Sequence, residues 1–357
     1  MTPNDLEQIR YLPSIRTRQA ELRGYRELRD ETKNELLPIF SLGKLGRVNQ
    51  VEDVAGRVAE SAVGEYFLDI NCNANQRCED WTRMFDSTNA FTTWRAFVAE
   101  QEGAVPVALI PRDRSLRSFV RQVLAIENDH QVVHIRTRNP TADRRLLQSA
   151  VAAVDDVDNL LITLDFGYIR SSVDATEVEA EQIINELRDL DAAVRVCFMA
   201  SSFPRAVSAF GEEGGVLEIL ERAVHENLGG DGVAIYGDHG SIYPDPYTAE
   251  MTRFVPRIDY ATPNSWVFRR HRVNSARADN GGWPQCAREI IELPDWDEDF
   301  QGEAWGPQVI SEQAEADEAL AGFGSPANWI AVRVNTHIER QLQYGAGEFD
   351  DDEDDYE

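Results

Sequence analysis

Cysteine is scarce in this chain, which has four cysteines among 357 residues: Cys72, Cys78, Cys197 and Cys286. Cys197 lies within an apolar run and is expected to be a small core residue. Cys72 and Cys78 have five residues between them, which is not a zinc-site spacing, and no second Cys or His pair accompanies them. The cysteines therefore argue against a zinc site, and their low number favours the cytoplasm over an oxidising compartment.

Long hydrophobic runs are absent as well. The first residues, MTPNDLEQIR, contain no apolar segment of the kind found in signal peptides. No run approaches the roughly 18 apolar residues that a membrane-spanning helix needs. The sequence therefore predicts a protein with no secretory or membrane segment.

Basic residues are few relative to acidic ones, with 35 Lys and Arg against 63 Asp and Glu and a formal net charge of -28. Eight of the acids lie in Glu348–Glu357. A field of this sign argues against binding duplex DNA through overall charge but permits a local basic site. The end of the chain, Asp350–Glu357, has no apolar face and is predicted to be a disordered tail. As an internal polyanion it could compete for basic side chains, or it could only aid solubility.

Familiar catalytic motifs are also missing. The chain has no GxSxG elbow, P-loop or HExxH helix, and no GxGxxG follows an early predicted strand. The sequence identifies neither a reaction nor a cofactor, so it leaves open whether the protein is an enzyme.

What the chain does have is a regular alternation of apolar runs and amphipathic helices. The central example is Asn159–Ile169 (NLLITLDFGYI), a short apolar run that ends in Asp165 and Gly167 and is typical of a strand buried on both faces. Eight such strands are predicted: Tyr11–Ile15, Leu36–Leu42, Glu65–Asn71, Val105–Ile110, Gln131–Arg136, Leu160–Leu164, Val194–Ala200 and Gly232–Tyr236.

Eight strands that alternate with helices predict an α/β fold of the (β/α)8 barrel type. A doubly wound open sheet is the alternative, which the strand number and the missing GxGxxG motif disfavour. Residues 1–245 are predicted to form the barrel, 246–346 a C-terminal extension packed on it, and 347–357 the tail.

The elements after strand seven are predicted in less detail. A helix is expected at Val216–Asn227 after strand seven. In the extension, Phe254–Tyr260 and Ser265–Arg272 are expected to form an antiparallel hairpin. Pro284–Leu293 and Ser325–Tyr344 are predicted helices, and Leu293–Pro307 is predicted to be irregular.

Polar and charged residues follow the predicted strands, where (β/α)8 barrels carry their functional sites. Guanidinium groups suit capture of phosphate or carboxylate, so these strand ends predict an anion site for a nucleotide or a single-stranded nucleic acid end. The predicted ligand-binding residues are Arg18, Asn71, Arg112, Arg136, Arg138, Ser202, Arg205 and His239.

Three other interpretations stay open. The arginines could pair with Asp69, Asp165 and Asp238 in a structural network, because buried charges persist mainly where they are paired. Those carboxylates could instead be catalytic residues around a divalent cation, which would make the protein a phosphoester hydrolase. His239 could then serve as a general acid or base. Finally, the protein could be non-catalytic and meet a protein partner through its acidic surface.

Several segments resemble the Beta protein family of bacteria and phages. They are YLPSIRTRQAELRGYREL, LLPIFSLG, LLITLDFGYI, SSFPR, YGDHGSIYPDP, ATPNSWVFRRHR and NWIAVRVNTHIERQL, which together cover most of the chain. The resemblance implies a barrel-like α/β fold and a role in phage–host conflict, but no activity. The family pattern points to Arg18, Glu21, Asp69, Asp165, Ser202, Pro204 and Asp238, whereas His239 stands where the family has an aromatic residue.

Overall fold

Eight parallel strands form a closed barrel, so the predicted (β/α)8 fold is confirmed in this computed structural model. The structure describes residues 1–2, 6–245, 254–271 and 282–345, and the predicted acidic tail lies outside them. In order around the barrel the strands are β1 (Tyr11–Arg16), β2 (Ile39–Leu42), β3 (Tyr66–Ile70), β4 (Ala104–Ala108), β5 (Val133–Thr137), β6 (Leu160–Tyr168), β7 (Arg195–Ser201) and β9 (Ile235–Asp238).

Helices surround the barrel and continue into the C-terminal region. Those of the barrel are α1 (Gln19–Arg26), α2 (Asp30–Glu35), α3 (Val51–Ala59), α4 (Trp81–Met84), α5 (Thr92–Ala99), α6 (Leu116–His130), α7 (Pro140–Val151), α8 (Val173–Arg188) and α9 (Leu220–Asn227). Those of the C-terminal region are α10 (Gly282–Ile291), α11 (Glu298–Glu303), α12 (Trp305–Glu315) and α13 (Pro326–Gly345). No described helix is both long and apolar enough to cross a membrane.

Alternation along each strand decides which side chains enter the barrel. One buried cluster gathers alternate strand residues such as Leu12, Phe67 and Leu161, and it is the barrel interior. A Cβ added to Gly237 would meet Cys197 Sγ at 2.7 Å, so Gly237 also faces inward. Its neighbours on β9 therefore face outward, toward the surrounding helices.

A second, three-stranded antiparallel sheet has the order β10 (Arg257–Ala261), β11 (Ser265–Arg270) and β8 (Gly214–Glu218). The predicted hairpin is present, but the predicted helix Val216–Asn227 is wrong at its start, since α9 begins at Leu220. Leu217 is buried against Trp266 of β11, whereas Val216 is 61% exposed. This alternation of buried and exposed side chains is typical of a strand. Pairing with β11, which is distant in the sequence, favours the strand over the predicted helix.

The segment Leu293–Pro307 was predicted to be irregular, but it contains α11 and the start of α12. The side chain of Asp297 caps α11 by accepting the N–H of Phe300 at 2.9 Å. Glu298 and Asp299 lie in the first turn of α11, where the helix dipole favours negative charge. The acidic residues that suggested a loop are therefore the ones that begin a helix.

Helix α13 packs directly against α1 of the barrel. The two backbones approach so closely that a Cβ on Gly24 would lie 2.7 Å from the carbonyl oxygen of Ala331. Glu339 of α13 is fully buried and accepts hydrogen bonds from Thr32 Oγ1 at 2.6 Å and Arg29 Nε at 3.0 Å. These contacts fix α13 along the outside of the barrel.

Candidate functional site: the C-terminal end of the barrel

Asp165, at the end of β6, is the centre of a buried charge network. Arg136 donates to its Oδ2 from Nε at 3.1 Å and from Nη2 at 2.7 Å, and donates from Nη1 to Asp69 at 3.1 Å. Arg138 Nε lies 3.3 Å from Asp165 Oδ2, and His239 Nε2 lies 2.9 Å from Oδ1. The structure thus brings together five of the residues singled out in the sequence.

The charges in this network are fixed by its surroundings. Burial raises the pKa of Asp165, but the interactions with His239 and Arg136 outweigh it and hold that pKa well below its usual range. Burial lowers the pKa of His239 despite the neighbouring Asp165. We therefore assign an ionised Asp165 that accepts a hydrogen bond from His239 Nε2. Asp165 thus has three basic partners at the barrel end, Arg136, Arg138 and His239.

Asp238 does not belong to this network, so the structure does not bring it together with Asp69 and Asp165. Because Gly237 points into the barrel, Asp238 points outward, where it accepts hydrogen bonds from Tyr11 at 2.8 Å and Tyr236 at 3.1 Å. His337 Nε2 lies 2.7 Å away. Across the described ranges, no three His, Cys, Asp or Glu side chains are arranged to hold a metal ion.

Asn71 and Ser202 have local structural partners. The side chain of Asn71 accepts the backbone N–H of Asn73 and donates to Gln76, which shapes the loop after β3. The hydroxyl of Ser202 accepts the N–H of Leu220 at 3.0 Å, next to the start of α9. Both residues position backbone near the barrel end.

Five arginines line a cavity of about 340 Å³ beside the end of β1, between the barrel and α13. We call it the arginine cavity, and its basic lining residues are Arg16, Arg18, Arg205, Arg257 and Arg333. Glu21 is its acidic lining residue, and Phe203, Ile242 and Ile330 are among its apolar ones.

Two carboxylates hold part of this arginine set in place. Arg16 donates to Glu21 from Nε at 3.2 Å and from Nη2 at 3.0 Å, so the predicted residue Glu21 positions a cation. Arg257 Nε and Arg333 Nη1 share one oxygen of Asp259, at 3.0 and 3.1 Å.

Two arginines of the cavity, Arg333 and Arg18, differ in their surroundings. Burial, assisted by the nearby Arg257, lowers the pKa of Arg333 to about 10 against the opposing effect of Asp259. Within the described chain, the guanidinium of Arg18 has no ion-pair or hydrogen-bond partner. An anion could therefore meet Arg18 without displacing a carboxylate.

The predicted arginines do not all face one cavity. Arg136 and Arg138 line a separate cavity of about 240 Å³ together with Asp69, whereas Arg18 and Arg205 line the arginine cavity. Arg112 lies over the ring of Trp81, with its guanidinium carbon 4.4 Å from the ring centroid. The expected single site is thus divided between at least two cavities.

Sequence reasoning missed Arg257 and Arg333, which come from the C-terminal region. Arg333 belongs to α13 and is almost fully buried. The available signal was a charged residue on the apolar stripe of the predicted helix Ser325–Tyr344, since a charge there needs a partner. That partner, Asp259, lies on β10 and could not be paired with it from the sequence.

These features define a (β/α)8 barrel protein with arginines gathered at the C-terminal ends of its strands. The chain belongs to the Beta protein family, whose model matches residues 11–343. It is similar to "Protein beta" of Enterobacteria phage P4, with 34% identity over 98% of both chains. No solved structure gives a significant match.

Proposed function

We propose that this protein binds a phosphate-bearing anion in the arginine cavity. The observation that carries the proposal is the convergence of five arginines on one cavity of about 340 Å³ in a chain of net charge -28. Arginine presents a planar set of donors that matches two oxygens of a phosphate or carboxylate. The ligand class we infer is a nucleotide or the end of a nucleic acid strand.

Charge balance supports binding over a purely structural role. Arg16 donates to Glu21, and Arg257 and Arg333 donate to Asp259, whereas the guanidinium of Arg18 has no ion-pair or hydrogen-bond partner among the described residues. Burial is the main cause of the lowered pKa of Arg333, and a bound anion would favour the charged form of that guanidinium. We propose no hydrolytic reaction, because Asp69 and Asp165 are occupied by Arg136 and Asp238 faces another layer.

The test is titration calorimetry with pyrophosphate and a nucleoside diphosphate on three proteins: wild type, Arg18→Ala and Arg47→Ala. Arg47 is an exposed arginine outside the arginine cavity, so its variant controls for loss of one positive charge. We expect wild type and Arg47→Ala to bind equally and Arg18→Ala to bind about tenfold more weakly, the loss of one charge-assisted contact. Absence of binding, or equal binding by all three proteins, would contradict the proposal.

We further propose phage–host conflict as the setting of this binding. The support is the phage origin of the similar protein from Enterobacteria phage P4. The efficiency of phage plating should differ between cells that express wild type and cells that express Arg18→Ala. Identical plating on both strains and on cells lacking the protein would remove this setting and leave the binding proposal intact.

A further inference from the structure

The arginine cavity is not isolated, because a second cavity of about 290 Å³ shares part of its wall. Arg205, Arg257 and Ile330 line both cavities, and the second one adds Arg270 and Phe254. We propose that the two cavities form one elongated site for single-stranded nucleic acid. This inference rests on the proposed function and narrows its ligand to a single strand several nucleotides long.

Arginines line this elongated site from one end to the other, and Asp259, which accepts from Arg257, also lines the second cavity. Arg18 lines only the first cavity, Arg205 and Arg257 line both, and Arg270 lines only the second. Arg270 is positioned by donation from Nη1 to the carbonyl oxygen of Gly211 at 3.3 Å. A ligand with one phosphate could contact only some of these four arginines, whereas a ligand with several phosphates in a row could contact all of them.

An aromatic ring lies within the second cavity. Phe254 is 43% exposed, and its ring stacks on Trp283 with a centroid distance of 6.3 Å and an interplanar angle of 20°. Trp283 in turn stacks on Trp329 at 5.3 Å and 19°. The buried indoles support Phe254 from one side, while its exposed part is available to a base. Exposed aromatic rings beside a basic groove are typical of proteins that bind single strands.

Other polyanions fit these features less well. A duplex would bring a long line of phosphates against a chain of net charge -28, of which the elongated site neutralises only a short part. A phosphorylated peptide could bind the arginines, but its phosphate groups carry no base that would stack on the exposed ring of Phe254. Stacking on Phe254 therefore distinguishes a nucleic acid strand from a base-free polyanion.

The experiment measures binding of thymidine oligonucleotides of about 1 to 8 nucleotides. Inorganic polyphosphate and a phosphoserine peptide serve as base-free probes. The proteins are wild type, Arg270→Ala, Phe254→Ala and the control Arg47→Ala, each checked for an unchanged circular dichroism spectrum and unfolding midpoint. Wild-type affinity should rise at least tenfold with length and then level off, because the elongated site is short.

The variants separate the two parts of the inference. Arg270→Ala should weaken binding of the longer oligonucleotides about tenfold and leave mononucleotide binding unchanged. Phe254→Ala should weaken binding of oligonucleotides roughly 5- to 150-fold, the usual range for loss of one stacked base, without affecting polyphosphate. From about 50 to 200 mM salt, affinity for the longer strands should fall roughly 50-fold if four phosphates are contacted.

Three results would overturn the inference. Mononucleotide binding that depends on Arg18 but gains nothing with length would reject the elongated site and leave the proposed function standing. Binding of the phosphoserine peptide, with no binding of any oligonucleotide, would reject nucleic acid as the ligand. Failure of every probe to bind would reject both proposals.

Discussion

Glu221 shows how burial sets the charge of a single side chain in this protein. Its Oε2 accepts the N–H of Ser202 at 2.8 Å, and its Oε1 has no hydrogen-bond partner among the described residues. Burial is the largest influence and raises the pKa of Glu221 to about 7 from 4.5. The folded state therefore prefers the neutral form, whereas the unfolded chain ionises at lower pH.

This difference predicts a dependence of stability on pH. When the pKa of an acid is higher in the folded state than in the unfolded state, the folded state loses stability as the pH rises above the pKa of the unfolded state. The loss levels off once the pH is above the pKa of the folded state. Between about pH 5 and pH 8, Glu221 should cost wild type up to about 3 kcal/mol. Glu221→Gln cannot ionise, so urea unfolding should show the variant gaining stability relative to wild type as the pH rises. An identical pH dependence in both proteins would contradict the assignment.

At the scale of elements, the contact between α1 and α13 depends on one glycine. A Cβ on Gly24 would lie 2.7 Å from Ala331 O and 2.8 Å from Val334 Cβ, and neither helix backbone can yield easily. Gly56 of α3 offers a matched comparison, because nothing lies within 4 Å of a Cβ placed there.

Alanine substitution at these two glycines should therefore have opposite effects. Gly24→Ala should lower the free energy of unfolding by about 1–3 kcal/mol through overpacking. Gly56→Ala should raise it by about 0.5–1 kcal/mol, because alanine favours the helix. Urea denaturation of both variants is the measurement, and equal effects would show that α13 does not approach α1 as closely as described.

The elements also show what the sequence could and could not provide. The barrel was predictable because its strands are apolar runs buried on both faces, such as Leu160–Leu164. Strand β8 was not, because its pairing with β11 involves residues about fifty positions later. Strand eight was predicted at Gly232–Tyr236, which ends two residues before the observed strand β9 does. Asp238 was therefore expected beyond the strand, at the rim of the barrel. In the structure it is the last residue of β9 and faces outward.

The candidate site was predictable only in part, for the same reason. Arg18 and Arg205 follow predicted strands, and the sequence therefore places them near the barrel end, whereas Glu21 was indicated by the family resemblance. Arg257 and Arg333 reach the same cavity from the C-terminal region through the packing of β10 and α13. Local patterns carry no information about that packing.

For the whole molecule, the proposed anion site has to act against a net charge of -28. The acidic tail was one suggested competitor for the arginines. Along α13, Ile330 lines the arginine cavity, whereas Leu342 lines a cavity with Lys33 and Leu36, about 18 Å further along the helix. The described part of α13 therefore leads away from the arginine cavity.

Truncation after Gly347 should consequently leave anion affinity unchanged at moderate salt and lower only the solubility of the protein. Binding of pyrophosphate by full-length and truncated chains, at low and moderate salt, is the measurement. Internal competition by the tail would instead give tighter binding after truncation, with a difference that shrinks as salt is added.

The central claim is that an anion occupies the arginine cavity. The most direct measurement is a crystal structure of the full chain soaked with tungstate, a phosphate-like anion that anomalous scattering locates without ambiguity. The account predicts a tungstate peak among the guanidinium groups of Arg18, Arg205 and Arg257. A peak confined to the cavity of Arg136 and Arg138, or no peak in a well-diffracting soaked crystal, would contradict it.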